Sequence, residues 1–304
     1  MATSSSSSEP RAAKAQAASF GVCITTRHRT DLLEQCLEHI EKSTVQPARV
    51  VVSDDSSKPE MIEQTKAVVA KFPRAIYVQG PRTGVCANRN NTLKYVGDVE
   101  YIAFLDDDAL VRPEYFSRAL EVFDGLTPAR RERTIVSGVR FDLSGGRTVQ
   151  CKLSFRGYFV QTDKTEVAGA SYAVYPRAFF DNHKWDEKIY FGFEDAELSL
   201  RALADGYEIV HREDMIMTDA GLDQSSLLKE GDKVSAYDFS GEAARLYIGV
   251  KRFKDIERDY RKLALFVPVF FAQVTYSLAK RRALSRMGEL VKLSRVKELI
   301  VEKH

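Results

Sequence analysis

The chain alternates short apolar runs with amphipathic segments, and this alternation constrains the fold more than any other feature. Residues 20–25, 50–52 and 101–105 are almost entirely apolar, as is typical of strands buried on both faces. The segments between them repeat apolar residues every three or four positions, which predicts helices with one buried face. A strand–helix–strand order makes successive strands parallel. We therefore predict an α/β fold with a mostly parallel sheet covered by helices.

The remaining elements follow from the same periodicities and from turn residues. A Gly145-Gly146 turn interrupts a less regular stretch of short strands at residues 134–175, and the chain becomes helical beyond residue 238. Gly206 is expected to end one helix, and Pro113 to open another. Helices are predicted at residues 30–40, 62–72, 87–95, 113–123 and 194–204, and further strands at 75–78 and 207–210.

Charge divides the chain into a weakly acidic body and a basic end. The whole 304-residue chain carries a net charge of +2, but residues 251–304 contain fourteen Lys and Arg against six Asp and Glu, which leaves −6 on the rest. Such a basic segment predicts an anionic partner surface. No nucleic-acid-binding motif is present, so we expect no nucleic acid partner.

Residues 1–18 are predicted to form a disordered tail, because they are rich in serine and alanine and lack the apolar core of a secretory signal. A transit peptide is the open alternative. The cysteines at positions 23, 36, 86 and 151 have neither metal-type nor redox spacing, which predicts free thiols in a reducing compartment. We divide the remainder into an α/β domain at residues 19–238 and a basic helical extension at residues 239–304.

Polar clusters follow three of the predicted strands. They are residues 25–29, 54–57 and 106–108. Ligands of parallel sheets bind at the carboxyl ends of strands, so a shared site is expected there, and ordinary turn chemistry is the alternative. Three adjacent aspartates, together with Glu194 and Asp195, would be costly to bury unless a cation neutralised them. A divalent metal with a phosphate-bearing substrate is the simplest resolution.

Five segments, in order, resemble the inverting glycosyltransferases of family 2, which have the GT-A fold. The resemblance covers about residues 19–220 and implies this fold for the α/β domain. The segments are Thr25-Thr26-Arg27-His28-Arg29, Asp54-Asp55-Ser56-Ser57, Gly84-Val85-Cys86-Ala87-Asn88-Arg89-Asn90, the Asp-x-Asp motif in Asp106-Asp107-Asp108, and Glu194-Asp195-x-x-Leu198-x-x-Arg201.

The resemblance implies a role for each site residue. Asp195, beside Glu194, is the implied catalytic base, and its place at a helix start favours the ionised form. Asp54 is expected to accept from a ring N–H of the nucleobase, which fits UDP or dTDP. The implied substrate-binding residues are Thr25, Arg29, Asp54, Asp55, Arg89, Asn90, Asp106, Asp107 and Arg201.

The implied cofactor is Mg²⁺ or Mn²⁺, held by Asp106 and Asp108. A further family ligand, usually a histidine, is replaced here by Asp219, which suits either ion equally well. The alternatives are that this ligand is missing or that His211 supplies it, although His211, beside an apolar strand, is expected to be structural.

Acceptor recognition is less defined by the sequence. The aromatic residues Trp185, Tyr190, Phe191 and Phe193 form either a sugar-stacking platform or part of the core. The pair Glu197 and Arg201, four apart on one helix, is either functional or a solvated ion pair.

We therefore expect a metal-dependent inverting glycosyltransferase of polysaccharide biosynthesis that acts on a glycan or lipid-linked glycan. Two rivals stay open. A nucleotidyltransferase is disfavoured because residues 25–29 contain no glycine. A catalytically inactive nucleotide-binding scaffold is disfavoured because both carboxylate motifs are present.

The apolar residues 263–278, with basic residues on both sides, are shorter than the roughly 20 residues that a spanning helix needs. They predict an interfacial helix on an anionic membrane, and a helix packed on the domain is the alternative. We expect a cytoplasmic enzyme, peripheral at the inner face of the plasma membrane.

Overall fold

The computed structural model describes residues 19–148, 150–221 and 236–301. The predicted disordered tail, residues 1–18, lies outside the described residues. The strands are β1 (Phe20–Thr26), β2 (Arg49–Asp54), β3 (Ala75–Gln79), β4 (Tyr101–Asp106), β5 (Ala109–Val111), β6 (Thr134–Asp142), β7 (Cys151–Leu153), β8 (Phe159–Gln161), β9 (Ala173–Pro176) and β10 (Glu208–Asp219).

The helices cover the sheet and extend beyond it. They are α1 (Thr30–Glu41), α2 (Pro59–Val69), α3 (Val85–Thr92), α4 (Tyr115–Asp124), α5 (Pro128–Arg131), α6 (Phe179–Asn182), α7 (Glu194–Ala204), α8 (Ala236–Lys251), α9 (Tyr260–Lys280), α10 (Met287–Leu293) and α11 (Val296–Val301). A π-helical turn, Arg252–Ile256, joins α8 to α9. These elements confirm the predicted α/β fold with a C-terminal helical part.

Eight strands form one sheet in the order β3-β2-β1-β4-β9-β6-β10-β5, and β7 pairs with β8 apart from it. The first four strands of that order are parallel, as predicted. β9 runs antiparallel between β4 and β6, and β5 runs antiparallel along β10. These two reversals were not predicted, because both strands are only three or four residues long.

The strand register brings the polar clusters to one edge. Thr25 is opposite Asp106 in β4, and Thr26 is opposite Asp54 in β2. At the other side of the site, Asp219 ends β10 opposite Ala109. The end of β10 therefore lies beside the three aspartates that follow β4.

Two apolar cores lie on the two faces of the sheet, because alternate residues of a strand point to opposite sides. Val22 belongs to the core that α1 and α4 cover, and Cys23 belongs to the other one. The second core also contains Phe253, Phe266 and Leu290, so the C-terminal helices and the sheet share one apolar interior. The predicted domain boundary after residue 238 falls inside α8.

Helix α9 is the one helix, within the described residues, that is long and apolar enough to cross a membrane. Only 22% of its most apolar stretch is buried. One side of α9 is therefore packed on the protein, as in the predicted alternative, and that alternative does not explain the exposed side.

Candidate active site

A cavity of about 690 Å³ opens where β1, β2 and β4 end. This volume is in the range of small-ligand sites. Most of the residues predicted from the sequence line it, and they come from six separate segments of the chain. They are Thr25, Arg29, Asp55, Arg89, Asp106, Asp107, Asp108, Glu194, Asp195 and Asp219.

Arg29 and Thr26 hold the acidic cluster that follows β4. Thr26 Oγ1 donates to Asp107 at 2.7 Å, and Arg29 pairs with Asp107 at 3.2 Å and also with Asp108. Burial is the main cause that raises the pKa of Asp107 to about 8 and that of Asp108 to about 6, and neighbouring carboxylates add to it. Ionisation of all three carboxylates is therefore unfavourable here unless a further cation is present.

The predicted metal ligands are carboxylates at two adjoining strand ends. The Ala220 amide donates to the Asp108 carbonyl at 3.0 Å, and Asp219 pairs with Arg140 at 3.1 Å. Within the described parts of the chain, no three Asp, Glu, His or Cys side chains converge into a metal site. Mg²⁺ is usually held by one or two carboxylates and the substrate's phosphates, with water completing its shell. The carboxylate oxygens of Asp106, Asp108 and Asp219 are suitable ligands for such an ion, and a cation would relieve the repulsion that Asp106 and Asp219 exert on Asp108.

His211, the alternative third ligand, lies in the middle of β10. Its Nε2 is 3.0 Å from Glu213 Oε1, and it is not among the residues that line the cavity. The imidazole therefore belongs to the sheet surface, as the sequence predicted.

Arg89 joins the two acidic parts of the site. Its side chain is 3% exposed, and it donates to Glu194 at 2.7 Å and to Asp106 at 2.9 Å. Its guanidinium also lies over the Trp185 ring, 4.9 Å from the centroid. Charge-assisted hydrogen bonds of this kind are the strong ones, so Arg89 fixes the start of α7 relative to the end of β4.

Asp195 lies at the start of α7, with part of its surface on the cavity wall. Burial, followed by repulsion from Glu194, raises its pKa to about 7. The helix-start effect expected from the sequence is present, because the Ala196 amide donates to Asp195 at 2.7 Å and lowers the pKa. That effect is outweighed, so the carboxyl titrates near neutral pH instead of staying fully ionised.

At the β2 edge of the cavity, Asp54 and Asp55 were both expected to bind substrate, but only Asp55 lines the cavity. Asp54 is fully buried and accepts from the Ser56 amide at 2.8 Å and from the Tyr77 hydroxyl at 3.4 Å. Asp55 lines the cavity and accepts from the Arg82 amide at 2.8 Å. Burial raises the pKa of Asp55.

The side chain of Asn88 lies beside that of Asp55. Its Nδ2 donates to the Ser53 carbonyl at 3.1 Å, which fixes the orientation of the amide. Its Oδ1 is buried with no hydrogen-bond partner among the described residues. Asn88 also lines the cavity, but this oxygen itself is enclosed by the protein.

Asp54, Asn90 and Arg201 are predicted substrate-binding residues that do not line the cavity. Asn90 bonds to both backbone polar groups of Trp185, at 2.9 and 3.0 Å. Arg201 pairs with the buried Glu197 at 2.7 Å. These three side chains bond to other parts of the protein. They do not face the cavity, and they stabilise the residues that line it.

The structure also separates the four predicted aromatic residues. Trp185 is buried in the core, whereas Tyr190, Phe191 and Phe193 line the cavity. Phe193 stacks on Phe159, with ring centroids 4.9 Å apart and planes at 4°. Its φ of 62° is unusual for a bulky residue. The aromatic wall thus directly precedes Glu194 and Asp195.

Several cavity residues escaped the sequence interpretation, among them Arg27, Arg82, Asn88, Arg140, Phe159 and Tyr172. Arg140 and Tyr172 come from the irregular region, and only the pairing of β6 with β9 and β10 brings them to the site. Arg27 and Asn88 lie inside segments that carry the family resemblance. Their positions within those segments could have identified them as cavity residues.

The family model of glycosyl transferase family 2 matches residues 21–183. No curated protein matches the chain significantly.

Among solved structures, TarS of S. aureus is 16% identical with a TM-score of 0.58, covering 92% of this chain and 50% of that one. GalNAc-T7, solved with UDP, GalNAc and Mn²⁺, is 13% identical with a TM-score of 0.62, covering 91% and 55%. TarS 1-349 with UDP-GlcNAc is 17% identical with a TM-score of 0.56, covering 92% and 83%. The chain spans about half the length of the first two. These likenesses confirm the predicted GT-A fold.

Proposed function

The chain belongs to glycosyl transferase family 2, and from this we propose that it transfers a sugar from a nucleoside diphosphate to an acceptor hydroxyl, with inversion. One observation carries the proposal. The carboxylate of Asp195 and the acidic cluster after β4 line the same cavity, and Arg89 bonds to Glu194 and Asp106 and so links these two parts. A direct displacement requires that the base and the group that binds the diphosphate lie in one cavity, because the acceptor and the donor must be held next to each other.

In the proposed reaction, Asp195 accepts the proton of the acceptor hydroxyl. The acceptor oxygen forms a bond to the anomeric carbon while the bond from that carbon to the diphosphate oxygen breaks. The nucleoside diphosphate leaves, and the new glycosidic bond has the opposite configuration. The pKa of about 7 at Asp195 suits this role, because a general base is most effective when it titrates near the working pH.

We propose that Asp106 and Asp108 hold Mg²⁺ or Mn²⁺, with Asp219 completing the protein ligands. The ion would supply Lewis-acid stabilisation of the leaving diphosphate. The raised pKa of Asp108, caused by burial and then by Asp106, supports a cation at this position. GalNAc-T7 was solved with Mn²⁺, which is consistent with the same choice here.

A uridine diphosphate sugar is the proposed donor. The carboxylate of Asp55 is an acceptor on the cavity wall at the β2 edge, where it can accept from the ring N–H of uracil. Thymine presents the same N–H, so dTDP sugars fit as well. TarS was solved with UDP-GlcNAc and GalNAc-T7 with UDP.

The proposed acceptor is a glycan or a lipid-linked glycan. The cavity wall next to Asp195 is aromatic, and Tyr190 and Phe159 are 41% and 43% exposed. Flat aromatic faces suit the apolar faces of sugar rings, and their exposure leaves them available to an extended acceptor.

The test is nucleoside diphosphate release from UDP-, dTDP- and GDP-sugars, with and without a glycan acceptor panel. Each reaction is run with Mn²⁺, with Mg²⁺ and with chelator, and the product configuration is read by NMR. Acceptor-stimulated release of UDP or dTDP that requires the metal, with an inverted product, is expected. Full activity in chelator would overturn the metal assignment, and a retained configuration would overturn direct displacement.

The same experiment separates the two rivals. Release of sugar 1-phosphate in place of the nucleoside diphosphate would indicate a nucleotidyltransferase, but no lysine lines the cavity within the described residues, although such enzymes use one to bind phosphates. Nucleotide binding without turnover of any sugar would indicate an inactive scaffold.

A further inference from the structure

Helix α9 packs on the protein with one side only. Phe266, Phe270, Val274 and Leu278 are buried in the core that it shares with the sheet. The opposite side, which we call the outer face, is exposed along the helix and is not covered by any described residue. The outer face consists of Ala264, Leu265, Pro268, Ala272, Thr275, Tyr276 and Ala279.

The outer face is apolar and free of charge. No Asp, Glu, Lys or Arg occurs from Leu263 to Ala279. Leu265 is 63% exposed and Tyr276 is 73% exposed. Exposed apolar surface that is continuous along a helix marks an interaction site, whereas single exposed apolar residues need no explanation.

Unpaired cations border this apolar surface at both ends. Arg258 and Arg261 lie at the beginning of α9, and Lys280 and Arg282 lie at its end. All four are exposed, and none forms an ion pair within the described parts of the chain. An apolar stripe with basic ends is complementary to a bilayer with anionic headgroups.

The hairpin of β7 and β8 adjoins α9. Phe155, in its turn, packs edge-on against Phe266 with ring centroids 6.3 Å apart. The Arg245 guanidinium lies 4.3 Å from the Tyr158 ring and 4.4 Å from the Phe270 ring, so it joins hairpin and helix. Phe155 and Tyr158 are 38% and 40% exposed, and their contacts are with the packed side of α9.

The same hairpin reaches the cavity. Phe159 of β8 stacks on Phe193, and both line the cavity. A single short hairpin therefore connects α9 to the wall that holds Asp195.

We propose that the outer face of α9 docks on an anionic lipid bilayer with the helix parallel to the membrane plane. A spanning orientation conflicts with the burial of Phe266, Phe270, Val274 and Leu278, because a spanning α9 would have to leave the core. The cations at both helix ends contact headgroups while the apolar stripe enters the acyl boundary. Docking holds the cavity beside the lipid surface. That the acceptor sugar is attached to a lipid is an additional inference, and it rests on the proposed function.

The binding test uses the full-length chain and sedimentation with vesicles. Vesicles of phosphatidylcholine alone are compared with vesicles that contain phosphatidylglycerol, at low and high salt. Binding is expected on the anionic vesicles at low salt and is expected to weaken as salt rises, because salt screens exposed charges.

Two pairs of variants make the test specific. Leu265→Glu is expected to weaken vesicle binding at least about tenfold, since a leucine that enters the acyl boundary on docking is replaced by a charge. Leu143→Glu is the matched control, because Leu143 is 74% exposed in a turn away from α9. The double change Lys280→Glu with Arg282→Glu is expected to abolish the preference for anionic vesicles, whereas Lys42→Glu at the end of α1 leaves it unchanged.

Other results would overturn the proposal. They are equal binding to neutral and anionic vesicles, no binding to either, or equal effects of Leu265→Glu and Leu143→Glu. Resistance of bound protein to high salt and alkaline extraction would indicate a spanning helix, and a dimer lost in Leu265→Glu would indicate a second copy on this face. UDP binding in the presence of Mn²⁺, followed by thermal shift, shows that each variant is folded. Vesicle binding needs no sugar transfer, so its failure is distinct from failure of the proposed function.

Discussion

The pH dependence of turnover tests the role of Asp195 directly. Its pKa is raised from 3.8 to about 7, first by burial and then by Glu194. A general base must be ionised to accept a proton, so activity should rise with pH through this value. The same carboxyl, if it kept its ordinary pKa, would be ionised throughout and would cause no change above pH 6.

The size of the effect follows from the fraction that is ionised. With a pKa of about 7, roughly 9% of the carboxyl is ionised at pH 6 and roughly 91% at pH 8, a difference of about tenfold. Replacing Glu194 by Gln removes the neighbouring negative charge, so the midpoint should move to lower pH. Asp195→Asn should lower turnover by about 10²–10⁴-fold, the usual contribution of a positioned base, with donor binding preserved.

Stability provides a second measurement on the same group. A carboxyl with a raised pKa binds more protons in the folded state than in the unfolded state between about pH 4 and 7, so its contribution to stability falls as pH rises through this window. Asp195→Asn removes that dependence and is expected to be more thermostable than the wild type at pH 8.

The assay is the initial rate of UDP release at saturating donor, acceptor and metal between pH 5.5 and 9. A rate that is flat between pH 6 and 8 would refute the reasoning about Asp195, as would a rise that persists in Asp195→Asn. If Glu194→Gln lowers turnover more than Asp195→Asn does, the two residues exchange roles.

Three further changes test the rest of the site and its support. Asp108→Ala should abolish metal-dependent UDP binding, measured by thermal shift with and without Mn²⁺, while the apo protein keeps its fold or gains stability because one buried like charge is gone. Asp55→Asn should weaken UDP binding by about tenfold in calorimetry, because the new amide can present a donor to the ring N–H. Lys251→Met should cost about 3 kcal/mol in urea unfolding, because Lys251 pairs at 2.6 Å with the fully buried Glu197 of α7. Lys254→Met is its control and should cost under about 0.5 kcal/mol, since Lys254 pairs, within the described residues, with Asp255, whose side chain is 22% exposed and keeps access to water.

Much of the fold and of the acidic site could be predicted from local sequence patterns. The parallel β1–β4 core follows from continuous apolar runs separated by amphipathic helices, since burial on both faces requires such runs. The helices began within a few residues of their predicted starts, as for α2 at Pro59 and α4 at Tyr115. The gathering of Asp106–Asp108 with Glu194 and Asp195 was predicted from their positions at a strand end and a helix start, and the structure places them on one cavity wall.

Other features depend on contacts between distant segments, which no local pattern encodes. Asp54 and Asp55 are adjacent in sequence, but Asp54 accepts from Tyr77 of β3 inside the protein, whereas Asp55 lies on the cavity wall. Arg140 meets Asp219 only because β6 pairs with β10.

The electrostatic state of the base and the surface of α9 were also decided by tertiary structure. The helix start of α7 alone predicted an ionised Asp195, but burial and Glu194 outweigh it, because desolvation depends on everything packed around a group. The apolar composition of α9 was evident in the sequence. The packing of Phe266 and Phe270 fixed which side of α9 faces the core and which side stays exposed. Sequence periodicity thus determined the elements and their order, and three-dimensional packing determined which side chains they present to a ligand.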